Sequence, residues 1–318
     1  MNNNETVEQN NTHIMAEVDA DEIISTFYSS SENNLNEIDY TNRENDNSNP
    51  TDNETVTTTE NTDNNSTEEV VEEALNAITP MLIDISTSRF SSAPWFNIVQ
   101  GQTIIIAGLG GIGSWLSLLI ARMKPASIFL YDFDTVEVVN MAGQLYGVDN
   151  INDKKTRATY KTIQNYAEYN SVFCMNEPYT ISSMHADIMI CGFDNMNARM
   201  SYFHNWRQHV RDKNEEKRKK CLFIDGRLNA EKFQIFCITG DDEYNIKNYG
   251  KNYLFLDEEA APTVCSYKQT TYCASMIASF MTNLFINFCN NQVKDALPRV
   301  LPFFTSYDAE FMNLKMED

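Results

Sequence analysis

Apolar positions along the chain change period several times. Thr103–Ala107 is an unbroken β-branched and apolar run that suits a buried strand. From Ser114 to Met123 apolar residues recur at helical spacing, and Ser127–Tyr131 reads as a second strand. A further short run, 188-IMICGF-193, leads directly into Asp194. Such alternation of strand-like and helix-like segments through residues 81–318 predicts one α/β domain with a mostly parallel sheet and helices on both faces.

Residues 1–80 follow no such pattern. They are rich in Asn, Thr, Ser and Glu, and they hold 19 acids and one Arg, which accounts for most of the net charge of −21. With few aromatic or branched side chains, this stretch buries too little apolar surface to offset its ordering entropy, so it is expected to be a disordered acidic tail. Two patches within or beside it, residues 14–28 and 70–82, mix acids with apolar residues at roughly helical spacing, as a transient helix or a partner-bound one would. No apolar run is expected to approach the roughly 20 residues of a membrane span and no signal peptide is expected, so a cytoplasmic protein without a membrane partner is expected. Seven cysteines, at 174, 191, 221, 237, 265, 273 and 289, include no Cys-x-x-Cys pair, so neither a zinc clasp nor a disulfide framework is expected. The histidines at 13, 185, 204 and 209 show no metal spacing.

Between the first strand and the first helix stand Gly108, Gly110, Gly111 and Gly113. Glycines there let the backbone turn tightly and approach a phosphate, while a helix N-terminus offers unpaired N–H groups and the positive end of a dipole. Asp132, at the end of the second strand, stands where an acid ordinarily holds ribose hydroxyls. The pattern to this point is Rossmann-like, and it serves a nicotinamide oxidoreductase and an ATP-using enzyme equally.

The residues downstream separate the two. Asp134 completes an Asp-x-Asp strand end, Asn140 and Gln144 follow, Lys155 opens a helix after Lys154, and 186-ADIMICGFDNMNAR-199 ends in Asp194, Asn195 and Arg199. Over about residues 88–290 this ordered set resembles the ThiF/HesA/MoeB superfamily, which includes the ubiquitin-activating enzymes. The resemblance implies adenylation of a carboxylate with ATP and Mg²⁺, the acceptor being the C-terminus of a ubiquitin-like protein or peptide, and it implies a homodimer. In that scheme Gly108, Gly110, Gly111, Gly113, Asp132, Asp134, Asn140, Gln144, Lys155, Asn195 and Arg199 bind nucleotide. Lys155 places positive charge on the phosphates and Asp194 holds Mg²⁺, although a strand-end Asp also suits a helix cap.

There are departures from the pattern. The superfamily has an Arg just before the Gln, and here that residue is Gly143. Arg157, Arg227 and Arg89 are candidates to supply the missing cation. Cys265 on a loop and Cys273 at the start of a long helix are candidate thioester nucleophiles, or simply small core residues. The basic run 207–221 has interleaved acids and no aromatic platform, so a solvated helix face is expected in preference to nucleic-acid binding. A fold retained as a binding module with catalysis lost remains an alternative class, and an NAD-dependent oxidoreductase is a third.

Overall fold

The computed structural model describes residues 84–256 and 269–318. The chain divides into two units between Leu82 and Ile83, and the described residues belong to the second. The acidic stretch 1–80, its patches 14–28 and 70–82, and Cys265 lie outside the described residues.

Eight strands form one sheet in the order β3-β2-β1-β4-β5-β6-β7-β8. β1 (Thr103–Ala107), β2 (Ser127–Tyr131), β3 (Val172–Met175), β4 (Ile188–Cys191) and β5 (Leu222–Asn229) are mutually parallel. From β5 onward β6 (Lys232–Thr239), β7 (Phe304–Asp308) and β8 (Asn313–Glu317) continue as an antiparallel meander. The parallel half carries the expected pattern; the meander makes the sheet mixed. β1 is the middle one of the five parallel strands, and its run Ile104, Ile105 and Ile106 is wholly buried because both faces are covered.

On one face pack α1 (Phe96–Gln100), α2 (Gly111–Ala121), α3 (Lys155–Ala167) and α7 (Thr271–Asn291), whose apolar residues join Ile104 and Ile106 in one core. On the other lie α4 (Met196–Arg211) and α6 (Glu243–Asn252), meeting Ile105 and Ala107. That second core is aromatic: Phe203, Phe223 and Tyr249 meet edge to face with centroids 4.8–5.4 Å apart. α2 begins at Gly111, earlier than the apolar spacing suggests, because the glycines at 111 and 113 take part in its first turn. α7 corrects the membrane expectation in part. Its 21 residues are long and apolar enough to cross a bilayer, but 56 % of the most apolar window is buried inside the fold, as in a core helix.

The basic run 207–221 spans the end of α4 and the short α5 (Glu215–Arg218). Its cations have local partners: Arg218 donates to the Lys213 and Arg211 carbonyls and pairs with Glu243, and Lys219 pairs with Glu215 and Glu216.

At the inner end of this helix pair three potential ligands from separate elements meet: Asp187, His209 and Cys221. Sequence spacing could not show this, since the fold brings together residues 22 and 34 positions apart. One Asp187 oxygen takes His209 Nε2 at 2.7 Å and Lys213 Nζ at 2.9 Å, so the cluster is an ion-pair hub. These partners hold the Asp187 carboxyl down at about 2, His209 contributing most, against an ordinary value of 3.8. Because the folded value is the lower one, the stabilisation is complete above the unfolded pKa and disappears as pH falls from about 4 toward 2. With the carboxylate 43 % exposed, solvent screening reduces its worth to about 1 kcal/mol. Asp187→Asn is therefore expected to lower stability slightly at pH 7 and by much less at pH 2; urea titrations at both pH values measure this, and an equal loss at both contradicts it.

Candidate active site

Strand order reverses between β1 and β4, the place where open α/β sheets leave a crevice at the carboxyl ends of their strands. Both loops that leave these ends begin with a glycine, Gly108 and Gly192, for a steric reason. Gly108 has φ +80°, and a Cβ on it would stand 2.9 Å from the Gly192 carbonyl oxygen. A Cβ on Gly113 would fall 2.0 Å from the Gly108 oxygen, so the first turn of α2 and the loop before it are in backbone contact. Gly110 is the N-cap residue of α2.

Asp132 braces this loop. One carboxylate oxygen accepts the Leu109 N–H at 2.7 Å and the other the Asp134 N–H at 2.8 Å. Burial pushes its carboxyl above the usual range, while the charge of Lys155 acts in the opposite sense. Its remaining lone pairs are what a ribose could use.

Lys154 and Lys155 separate cleanly. Lys154 is the N-cap residue of α3, exposed, and donates to the Phe133 carbonyl at 2.7 Å. Lys155 is buried, 6 % exposed, and its ammonium pairs at 2.8 Å with Asp134, whose side chain is 47 % exposed. The next residues of α3 are packed, Thr156 donating to Asn176 and Thr159 meeting the Tyr146 hydroxyl, which itself donates to the Leu109 carbonyl at 2.7 Å. The lysine helix and the glycine loop are thus one assembly.

Asn140 serves its own turn, its Oδ1 accepting the Glu137 N–H at 2.8 Å. Gln144 is 9 % exposed; its Nε2 lies near Gly110, and its Oε1 is buried without a hydrogen-bond partner. Such an orphan acceptor beside a glycine cradle fits a donor brought by a ligand.

Beyond β4, Asn195 caps α4, its Oδ1 accepting the Ala198 N–H at 2.8 Å. Asp194 is thereby released from capping and stands exposed, touched by the Asn195 amide at 3.3 Å.

Arg199 departs from its expected role. It is 5 % exposed, and its guanidinium is engaged by Asp225, by the Phe193 carbonyl at 2.5 Å and by the Gly226 carbonyl at 3.3 Å. It ties the loop after β4 to β5 from within, leaving only its buried Nε without a partner. Arg227 is similarly occupied, by Asp225 at 2.8 Å and the Tyr253 carbonyl at 2.8 Å, with its guanidinium over the Phe236 ring. Arg157 and Arg89 are exposed. Cys273 is buried, and burial raises its thiol above the usual value, which opposes a nucleophilic thiolate.

One neighbour of the glycine loop was not visible in the sequence. The side chain of Gln269, which directly precedes α7, lies against both Gly111 and Gly143, so that a Cβ on Gly111 would meet its amide at 2.0 Å and one on Gly143 at 2.9 Å.

An open α/β sheet with a glycine cradle, a buried lysine and a strand-end acid at its switch point belongs to the class of phosphate-binding α/β folds. The ThiF family model matches residues 97–317, and the chain belongs to the ThiF family. Ubiquitin-like modifier-activating enzyme 5 from Dictyostelium discoideum is 34 % identical over 65 residues, 20 % of this chain and 17 % of that protein. Its namesake from Oryza sativa subsp. japonica is also 34 % identical over 65 residues, covering 20 % and 15 %. The chain thus aligns with under a fifth of the length of these relatives. Among solved structures, PaaA superposes with TM-score 0.55 at 13 % identity, over 95 % of this chain and 83 % of that one. E. coli MccB with AMPCPP and MccA superposes with TM-score 0.53 at 16 % identity, over 74 % and 72 %. These two likenesses are of fold.

Proposed function

We propose that the protein is an ATP-dependent adenylyltransferase acting on a carboxylate, the C-terminus of a ubiquitin-like protein or of a peptide. A carboxylate oxygen attacks the α-phosphorus of ATP, the bond to the bridging oxygen breaks, pyrophosphate leaves and an acyl-adenylate remains. No proton need move. The work of the site is therefore to position two anions and neutralise their charge. The N-terminus of α2 and the Lys155 ammonium supply positive potential at the cradle, and Asp132 serves the ribose. Mg²⁺, held by Asp194 with phosphate oxygens, would supply further neutralisation; an exposed carboxylate free of capping suits a hard cation that keeps much of its hydration.

The observation that carries this reading is Lys155, a buried ammonium whose counterion Asp134 is itself half exposed beside Asp132. Family membership supports it, as do the relatives: an activating enzyme for a ubiquitin-like modifier, and an MccB structure holding an ATP analogue with MccA. By the same resemblance the working unit is a homodimer. A non-catalytic binding module is the second reading, favoured by Gly143 and by the internal engagement of Arg199 and Arg227.

Calorimetry and exchange separate the readings. The full chain is expected to bind Mg·ATP in preference to NAD, and to exchange labelled pyrophosphate into ATP when lysate of its native host supplies the carboxylate. Tight NAD binding without ATP binding refutes both readings; ATP binding without exchange leaves the binding module.

A further inference from the structure

The position that Gly143 leaves empty is filled from the far end of the chain. Gln269 reaches it from just before α7, where the chain is held at two points. Its main chain bridges to Ala230 at the β5–β6 turn, and the Thr271 hydroxyl donates to the carbonyl of Ala142, the neighbour of Gly143. From there its carboxamide lies between Gly143 and the first residue of α2: a Cβ on Gly143 would stand 2.9 Å from both Cγ and Nε2, and one on Gly111 would stand 2.0 Å from Oε1. A side chain at 143 would displace the Gln269 carboxamide from this position.

A second polar side chain addresses the same cradle. Gln144, 9 % exposed, has its Nε2 near Gly110 and leaves Oε1 unpartnered. Two amides thus flank the start of α2, one buried with an orphan acceptor and one half-exposed, in a site where Arg199 and Arg227 are spent on Asp225. A carboxamide carries two N–H donors and can turn them toward an anion without bringing charge of its own.

The geometry points to Gln269 as a phosphate-binding residue of this site, donating its amide N–H to a phosphoryl oxygen of the bound nucleoside triphosphate from the position that a residue-143 side chain would otherwise occupy. Gly143 is glycine so that Gln269 fits. The inference rests on the proposed ATP site and specifies how that site is completed. It makes Gln269 part of the nucleotide site, and it makes the phosphate contact neutral.

Titration calorimetry of the full chain with Mg·ATP and with adenosine, which lacks phosphate, tests it. Gln269→Ala is expected to weaken Mg·ATP about tenfold, the loss of one hydrogen bond to a charged group, and to leave adenosine binding and Tm unchanged. Gln269→Glu keeps the shape but repels the phosphates, so it should weaken Mg·ATP more than alanine does. Gly143→Arg alone should weaken Mg·ATP by collision with Gln269, and Gly143→Arg with Gln269→Gly should bind more tightly than either single variant. If Gln269→Ala binds Mg·ATP as well as or better than wild type, the side chain is a bystander or a plug and the inference is overturned while the ATP site stands. If it weakens adenosine equally or lowers Tm by many degrees, its role is structural and the inference is again overturned. A wild type without affinity for Mg·ATP overturns the proposed function, and this inference with it.

Discussion

Lys155→Ala lowers pyrophosphate exchange by about 10²–10³-fold, the magnitude usual for removing one preorganised group that stabilises transition-state charge, while Lys154→Ala leaves it near wild type. The adjacent lysines have the same chemistry but different surroundings: Lys155 is buried against Asp134 and its charge acts on Asp132, whereas Lys154 is exposed and spends its ammonium on a carbonyl. Asp194→Asn follows the same course by a different route, because it keeps the shape and removes the negative charge that would hold the cation. Adenosine contacts through Asp132 do not depend on Asp194, so adenosine affinity should survive in both active-site variants. Equal loss from Lys154→Ala would show that the assignment to Lys155 is wrong, and full activity of Asp194→Asn would remove the metal from its assigned place.

Asp225→Ala is expected to lose about 3–5 kcal/mol of stability, the usual cost of breaking a buried ion pair by deleting one partner. Asp225 is fully buried and satisfies Arg199, Arg227 and the Tyr249 hydroxyl. Without it the Arg199 guanidinium, whose charge burial already disfavours, stays enclosed with no counterion. A protein of this size loses roughly 2–4 °C per kcal/mol, so Tm should fall by roughly 10 °C or more. Adding Arg199→Met should recover part of the loss, since the stranded charge leaves with the arginine. Thermal melts followed by circular dichroism measure both variants, and an Asp225→Ala protein that melts within about 2 °C of wild type would show that water hydrates the guanidinium left without its carboxylate.

The parallel half of the sheet was legible because its determinants are local. Thr103–Ala107 and Ser127–Tyr131 are strands over the predicted residues, and Lys155 opens a helix as expected. Glycines at 108 and 113 announce a tight turn whatever surrounds them. The antiparallel meander was not legible, since pairing β6 with β7 spans an intervening helix pair that no short window contains. Side-chain roles were read least well where they depend on distant partners. Arg199 looked like a ligand residue from its offset to Asp194, but Asp225, on the neighbouring strand, claims it. Gln269 could not be linked to Gly143 by spacing, because only the start of α7 brings them together.

The backbone contact between Gly108 and Gly192 makes the two loops of the crevice a single mechanical part. No side chain lies between them at that point, and the Gly192 N–H is also bound to the Ala107 carbonyl at 3.0 Å. The gap between the phosphate cradle and Asp194 is consequently gauged by main-chain bonds instead of rotamers. Ile112 of the first core also packs against Gly192, so the same joint is seated on α2 as well as on the loop before it.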